Sequence, residues 1–170
     1  MSKPTCNVPI NLERIRTLVP HAGKMCLLER VVACDGVSIR CETRSHLDPT
    51  NPLRRHGRLS SVCAIEYAAQ AMALHGALTA PGDNSALAGS GGSGALNAPA
   101  PGNDSESTRQ GYLASVREMH CHTRYLDEYT GELVVGAKLL FNESTRMIYS
   151  FTVAAGESDL VIGRAAVVLA

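Results

Sequence analysis

The stretch that decides the fold is Ser61-Val62-Cys63-Ala64-Ile65-Glu66-Tyr67-Ala68-Ala69-Gln70-Ala71-Met72-Ala73-Leu74. As a helix it is apolar almost all the way round, and such a helix belongs in a protein core. An ionised carboxylate is costly there unless it is paired, hydrogen-bonded or protonated, so Glu66 indicates a functional site. Gln70 follows four residues later on the same helix face and extends a polar stripe. In the alternative, Glu66 is structural and reaches solvent or pairs with a loop arginine: Arg54, Arg55 or Arg58.

The segments around this helix have the pattern of strands. Met25 to Cys34 and Val37 to Thr43 are apolar, β-branched runs on either side of Asp35-Gly36, a strong hairpin signal. Four more strands are predicted at Gly111 to His122, Glu132 to Phe141, Met147 to Ala155 and Leu160 to Leu169. This order predicts an α+β fold, with an antiparallel sheet of five or six strands around one long helix.

Capping residues set the predicted helix ends. Asn11 is a candidate N-cap for a short helix from Leu12 to Leu18, which Pro20 ends. Ser60 or Ser61 caps the long helix, which we expect to run to about Leu78.

One segment differs in composition from the rest. Pro81 to Gln110 is mostly Gly, Ala, Ser, Asn, Asp and Pro, and it cannot bury enough apolar surface to order itself. We expect a flexible insertion within a single domain that spans residues 1–170. Gly89 to Gly94 matches G-x-G-x-x-G, but the phosphate-binding form of that motif needs a strand before it and a helix after it. No cofactor is therefore predicted.

Composition excludes several functional classes. The 170 residues include sixteen basic and sixteen acidic ones and are 45% hydrophobic, which fits a globular domain and argues against nucleic acid as a partner. Val62 to Thr79 is interrupted by polar side chains, so no membrane span is predicted. Residues 1–6 lack the apolar region of a signal peptide, and the six cysteines lack C-x-x-C spacing. We therefore expect reduced thiols and a cytoplasmic protein.

Two segments carry a resemblance to a known family. Leu18-Val19-Pro20-His21-Ala22-Gly23-Lys24-Met25-Cys26-Leu27-Leu28-Glu29-Arg30-Val31 is similar to L-P-H-x-x-P-(M/F)-L-L-x-D-R-V. Ala64-Ile65-Glu66-Tyr67-Ala68-Ala69-Gln70-Ala71 is similar to I-E-x-M-A-Q. Over residues 12–79 and 111–169 the chain resembles the hotdog-fold (3R)-hydroxyacyl-[acyl carrier protein] dehydratases, and above all the dehydratase subunit of aryl-polyene pathways.

The resemblance implies a reaction and a site. In these dehydratases a His removes the α-proton of a β-hydroxyacyl thioester, N–H groups at the start of the central helix stabilise the enolate-like oxygen, and a helix carboxyl protonates the departing hydroxyl. Here it implies Glu66 as the acid, with Gln70 and the helix-start residues Ser61, Val62 and Cys63 beside the substrate. It also implies acyl carrier protein as the partner, and a homodimer or a heterodimer with a related hotdog subunit.

The general base departs from the family pattern. H-F-P-G-H-P-x-M-P-G-V-x-x-x-E places it at Pro52, which cannot accept a proton, and places a second His at His56. The candidates for a displaced base are His56, His21 and His46. If none acts, the chain is an inactive hotdog subunit that binds acyl thioesters or an active homologue. A thioesterase is a third hypothesis, because that chemistry activates water with the same carboxyl and has less need of a His.

A metal site is a further alternative on the sequence. His120 and His122 alternate on one strand face, but no carboxylate or thiol lies near them at a diagnostic spacing. No metal is therefore predicted.

Overall fold

The computed structural model describes residues 9–19, 23–80, 111–143 and 145–169. Its helices are α1 (Leu12–Leu18) and α2 (Ala64–Thr79). Its strands are β1 (Ile10–Asn11), β2 (Arg30–Cys34), β3 (Ser38–Thr43), β4 (Gly111–Cys121), β5 (Leu133–Glu143), β6 (Arg146–Ala155) and β7 (Ser158–Leu169). Pro20, His21 and the predicted insertion from Pro81 to Gln110 lie outside the described residues.

The strands form one antiparallel sheet in the order β1-β2-β3-β5-β6-β7-β4. This confirms the α+β hotdog architecture with a single long helix. The predicted count of five or six strands is wrong by one, because the two-residue strand β1 pairs with the outer edge of β2. Such a short strand carries no alternation for a sequence pattern to detect.

Helix α2 packs against β3, β5 and β6. Ala64, Ala68 and Ala71 are fully buried, and their spacing places them on one stripe that lets the helix approach the sheet closely. The larger buried Tyr67 and Leu74 contribute about 1.5–3 kcal/mol each through burial. Ala68→Leu would overpack this stripe at a cost of about 1–3 kcal/mol.

Side-chain hydrogen bonds cap the start of α1 and the turn before α2, and they close the first hairpin. Asn11 caps α1 by accepting a hydrogen bond from the Arg14 N–H, and Ser60 caps a short 3-10 turn, Ser61–Cys63, that leads into α2. In the β2–β3 hairpin, the Asp35 carboxylate accepts hydrogen bonds from the N–H groups of Val37 and Ser38.

The prediction of a strand over Met25 to Cys34 is wrong in its first half. Gly23–Met25 forms a 3-10 turn, and β2 begins only at Arg30. Residues 26–28 between these elements are buried, and side chains bond to both backbone groups of Leu27. The Leu27 carbonyl accepts from the Thr43 hydroxyl at 2.6 Å and from the Ser45 hydroxyl at 2.7 Å.

Within the described residues no helix is long and apolar enough to cross a membrane. No disulfide joins the five cysteines within the described residues: Cys26, Cys34, Cys41, Cys63 and Cys121.

Candidate active site around Glu66

Glu66 lies in the first turn of α2 and is half-buried. Its Oε1 accepts a hydrogen bond from the Gln70 amide nitrogen at 3.0 Å. The predicted polar stripe is therefore a hydrogen-bonded pair. Arg54 and Arg58, two of the three arginines considered as partners of Glu66, both contact the Asp127 carboxylate.

Gln70 joins the two sequence segments that carry the family resemblance. It is 1% exposed, and its Oε1 accepts from the Leu27 N–H at 2.9 Å. Its Nε2 donates to the Met25 carbonyl at 2.7 Å as well as to Glu66. All the polar atoms of this amide are thus engaged within the chain, and contact with a substrate stays a prediction.

The N–H groups at the start of the helix have acceptors inside the chain. The Ser61 N–H donates to the Arg124 carbonyl at 3.0 Å, and the Cys63 N–H donates to the Ser60 carbonyl at 3.0 Å. The Val62 N–H makes the longest contact, 3.4 Å to the Ser60 hydroxyl, and the Val62 side chain is 58% exposed. The Val62 N–H is therefore the most weakly held of the three, and donation to a substrate oxygen stays a prediction.

Residues 44–59 form a loop held by a buried polar network. The Asn51 amide donates to the Tyr67 hydroxyl at 3.0 Å and to the Ser45 carbonyl at 2.8 Å. Burial raises the pKa of Tyr67, so its phenol stays neutral. The Arg54 guanidinium donates to the carbonyls of His46, Asp48 and Gly57. A guanidinium spread over three carbonyls fixes the whole loop.

His56 lies at the tip of this loop. Arg55 and Arg58 exchange backbone hydrogen bonds of 2.9 and 3.0 Å around His56-Gly57. Both central residues have positive φ, 51° and 76°, as a two-residue type I′ turn requires. Gly57 adopts this conformation freely, whereas His56 pays for it sterically and is held by the turn. Its ring is exposed.

The other loop histidine, His46, is fully buried. Its Nε2 lies 2.9 Å from the Tyr129 carbonyl and therefore donates to it. Among the described residues, its Nδ1 has no hydrogen-bond partner. Burial, reinforced by Arg44 and Arg54, lowers the pKa of His46. The sequence made His46 a candidate base, and its buried position places this ring among the structural groups of the loop.

A cavity of about 350 Å³ opens beside the Met25–Leu28 segment. Its polar lining includes Arg16, Lys24, Arg44, Ser45 and Asn51. Sequence reasoning missed Ser45, Asn51 and Tyr67, which connect this cavity to α2. The one sequence signal that could have identified Tyr67 was its hydroxyl group on a mostly apolar helix.

Part of the chain matches a known protein family. Residues 13–89 match the ApeP-like family, described as ApeP dehydratase, and this range includes both signature segments. No curated protein sequence matches the chain.

Solved structures share the fold. The dehydratase heterocomplex ApeI:P from Xenorhabdus doucetiae has a TM-score of 0.68 at 19% identity, over 92% of this chain and 90% of that one. A thioesterase from Haemophilus influenzae has a TM-score of 0.59 at 13% identity, over 95% and 91% of the two chains. Thioesterase superfamily member 2 from zebrafish has a TM-score of 0.56 at 12% identity, over 95% and 99%. On this hotdog fold, residues 13–89 carry the ApeP-like dehydratase pattern, and the resemblance to the aryl-polyene branch of the hydroxyacyl dehydratases is confirmed.

Proposed function

We propose that this protein eliminates water from a β-hydroxyacyl thioester carried by acyl carrier protein, with Glu66 as the general acid. A base takes the α-proton, the carbon–carbon double bond forms, the β-carbon–oxygen bond breaks, and Glu66 protonates the leaving hydroxyl to give water. One observation carries the proposal: the half-buried Glu66 is held by Gln70 inside the segment that matches a dehydratase family.

His56 is our candidate for the base. Pro52 occupies the usual position, whereas His56 is exposed on the same loop and is held in a left-handed turn. A non-glycine residue fixed in that conformation is a reason to suspect function. An imidazole at the surface can also serve a second subunit. His21 remains the second candidate.

We further propose that the working form is a dimer, either of two copies or with a related hotdog subunit. Strand β4 is eleven residues long and is one edge of the sheet. Tyr112 and Leu113 on it are 53% and 41% exposed. A long edge strand with exposed apolar residues favours pairing with another chain. The described cysteines form no disulfide, which favours a reducing compartment, and we take this to be the cytoplasm.

A second function is an inactive subunit that binds acyl thioesters or supports an active homologue. It is favoured by Pro52 at the base position and by the internal acceptors of the Ser61 and Cys63 N–H groups. Thioester hydrolysis is a weaker third hypothesis, favoured only by the fold that the chain shares with thioesterases.

The test is dehydration of a short β-hydroxyacyl thioester, followed at the enoyl absorbance with and without a candidate partner subunit. Glu66→Gln keeps the shape of the side chain and removes the acid, so the rate should fall by about 100-fold or more. Glu157→Gln in the exposed β6–β7 turn is the matched control and should leave the rate unchanged.

Three outcomes separate the hypotheses. Unchanged dehydration in Glu66→Gln would overturn the role of Glu66. Binding of acyl carrier protein without turnover, alone or with the partner subunit, would favour the inactive subunit. Release of free thiol without enoyl formation would favour the thioesterase.

A further inference from the structure

A small cavity lies on the outer face of the sheet, which is the face directed away from α2. Its floor is formed by Ile148 on β6 and by Ala166, the cross-strand partner of Ile148 on β7. The next residue, Tyr149, has its hydroxyl 3.0 Å from His75 on α2. Successive strand residues point to opposite faces, so Ile148 faces away from α2. The volume of this outer-face cavity is about 100 Å³. Pockets for whole small molecules measure about 300–1,000 Å³, so this cavity suits a single chemical group.

Three arginines from neighbouring strands line the outer-face cavity: Arg117 on β4, Arg146 on β6 and Arg164 on β7. Among the described lining residues the one acidic side chain is Glu118, and its Oε2 lies 3.3 Å from the Arg164 Nε. Both side chains of this ion pair are more than half exposed, so the pair contributes little to stability. Within the described part of the chain, Arg117 and Arg146 form no ion pair. The lining therefore has an excess of two positive charges.

The spacing of two of these arginines favours an anion between them. Arg117 and Arg164 are direct partners across the β4–β7 ladder. Like charges at directly opposed positions destabilise a sheet, and Glu118 can neutralise only one of the two. Guanidinium groups bind phosphate oxygens in a bidentate geometry. A phosphate monoester carries a charge of about −1.5 to −2 at pH 7, which matches the excess charge of the lining.

Strand β4 is deformed where it lines the outer-face cavity. Between Leu113 and Ser115, and again between Arg117 and His120, β4 has one residue more than the paired part of β7. The second of these bulges contains Glu118, which has a φ of 51°. Bulges at the edge of a sheet redirect side chains, and a non-glycine residue in this conformation costs energy. The irregular backbone therefore coincides with the residues that contribute charges to the cavity.

We propose that Arg117, Arg146 and Arg164 form a binding site for the phosphate group of a phosphate monoester. The phosphate lies over the floor of the outer-face cavity, and the Glu118 carboxylate gives up its contact with Arg164 when the phosphate binds. The sheet separates this site from α2 and from Glu66, because α2 packs on the opposite face. The site is therefore independent of the proposed dehydration.

The surroundings of the outer-face cavity suit an ester with an apolar body. Phe141 is the cross-strand partner of Ile148 and is 42% exposed. Val168 is the partner of Arg146 and is 38% exposed. Both side chains therefore lie beside the cavity on the outer face. The phosphate can belong to a soluble ester or to a lipid headgroup, and the experiment separates these two sources.

The experiment measures binding by calorimetry at one low ionic strength, because salt screens an exposed charged site. The probes are glycerol 3-phosphate, glycerol as its uncharged control, and phosphatidylcholine vesicles with or without phosphatidic acid. Arg117→Gln and Arg146→Gln each remove one charge from the cavity. Arg40→Gln on β3 is the matched control. Arg40 lies between the buried Ile39 and Cys41, so it projects from the same outer face, but it does not line the cavity.

We expect wild-type protein to bind glycerol 3-phosphate but not glycerol. Arg117→Gln and Arg146→Gln should each weaken this binding by about 10-fold, the effect of one charge-assisted hydrogen bond, and Arg40→Gln should leave it unchanged. Glu118→Gln removes the competing carboxylate and should strengthen binding by up to about 5-fold, a gain that a misfolded variant cannot produce. Absence of binding to the wild type, or equal losses in Arg40→Gln and Arg117→Gln, would overturn the proposal.

The vesicle measurements identify the source of the phosphate. Binding that requires phosphatidic acid and is weakened in Arg117→Gln and Arg146→Gln assigns a lipid headgroup to the site. Binding of glycerol 3-phosphate without binding to either vesicle assigns a soluble ester. Vesicle binding that persists in both variants overturns the lipid assignment, because another surface then contacts the membrane.

Discussion

Asn51 donates a hydrogen bond from Nδ2 to the Tyr67 hydroxyl at 3.0 Å, which ties the 44–59 loop to the residue that follows Glu66. The Ser45 hydroxyl lies 3.1 Å from the same phenol oxygen. The loop that carries His56 and the helix that carries Glu66 therefore share one buried hydroxyl.

Tyr67→Phe should lower the free energy of unfolding by about 1–2 kcal/mol, because it leaves Asn51 and Ser45 without this partner in a buried site. Chemical denaturation measures the effect. Tyr125→Phe is the matched control, because it keeps the ring that lies 3.9 Å from the Arg58 guanidinium carbon. Equal effects of the two substitutions would contradict a specific role for the Tyr67 hydroxyl.

The His56→Asn variant tests the chemistry of the imidazole separately from the conformation of the turn. Asn tolerates positive φ, so the turn and the melting temperature should be preserved. If His56 is the base, dehydration should still fall by about 100-fold or more. Gly57→Ala is the converse variant: it strains the turn at φ +76° and keeps the imidazole. An active His56→Asn protein would exclude His56 as the base and leave His21 as the candidate.

Leu113→Asp should weaken self-association or association with a partner subunit, because it places a charge on the β4 edge strand. Leu140→Asp on β5 is the control, since Leu140 is similarly exposed, at 48% against 41%, but does not lie on an edge strand. Sedimentation at micromolar concentration measures the effect. A wild-type chain that stays monomeric both alone and with the partner subunit would refute the proposed dimer.

Stability should fall as the pH is lowered from about 7 to 5. The pKa values of His46 and His75 are both lowered, mainly by burial, so the unfolded chain binds their protons more tightly. Their contribution is complete above the pKa of an unfolded histidine and is lost below it, by at most about 1.4 kcal/mol per pH unit for each residue. His46→Gln and His75→Gln should each reduce this slope. A free energy of unfolding that is flat over this range would contradict both assignments.

Replacing residues 81–110 with a short Gly/Ser linker should leave the melting temperature nearly unchanged. The segment has too little apolar bulk to contribute to the core, and closing a shorter loop costs little entropy. Calorimetry of the two proteins is the measurement. A large loss of stability would show that this segment packs against the domain.

Local signals predicted much of the fold. Asn11, Ser60 and the Asp35-Gly36 turn each act through hydrogen bonds to residues two or three positions away, so a short window of sequence contains the cause. The apolar pattern of α2 likewise predicted its burial, and its predicted end at Leu78 is one residue from the observed one.

What the sequence failed to predict depends on distant partners. The Met25–Leu28 segment has a strand-like composition, but its backbone is bonded to Gln70, 43 and 45 residues away from its two partners. The buried position of His46 depends on the Tyr129 carbonyl, 83 residues later. In the site, the role of Glu66 stays a prediction from its residue type and position, whereas the contacts of Tyr67 and Asn51 required the fold.

The start of α2 is built from both halves of the polypeptide, and this has a consequence for synthesis. Ser61 and Leu59 pair with the backbone at Arg124 and Leu126, and the Leu59 N–H donates to the Asp127 carboxylate, 68 residues further along. While the ribosome is still translating the segment before β4, the entry to the central helix lacks these partners. Contacts this far apart in sequence slow folding. We therefore expect the nascent chain to complete the entry to α2 only after β4 and residues 124–127 have been translated.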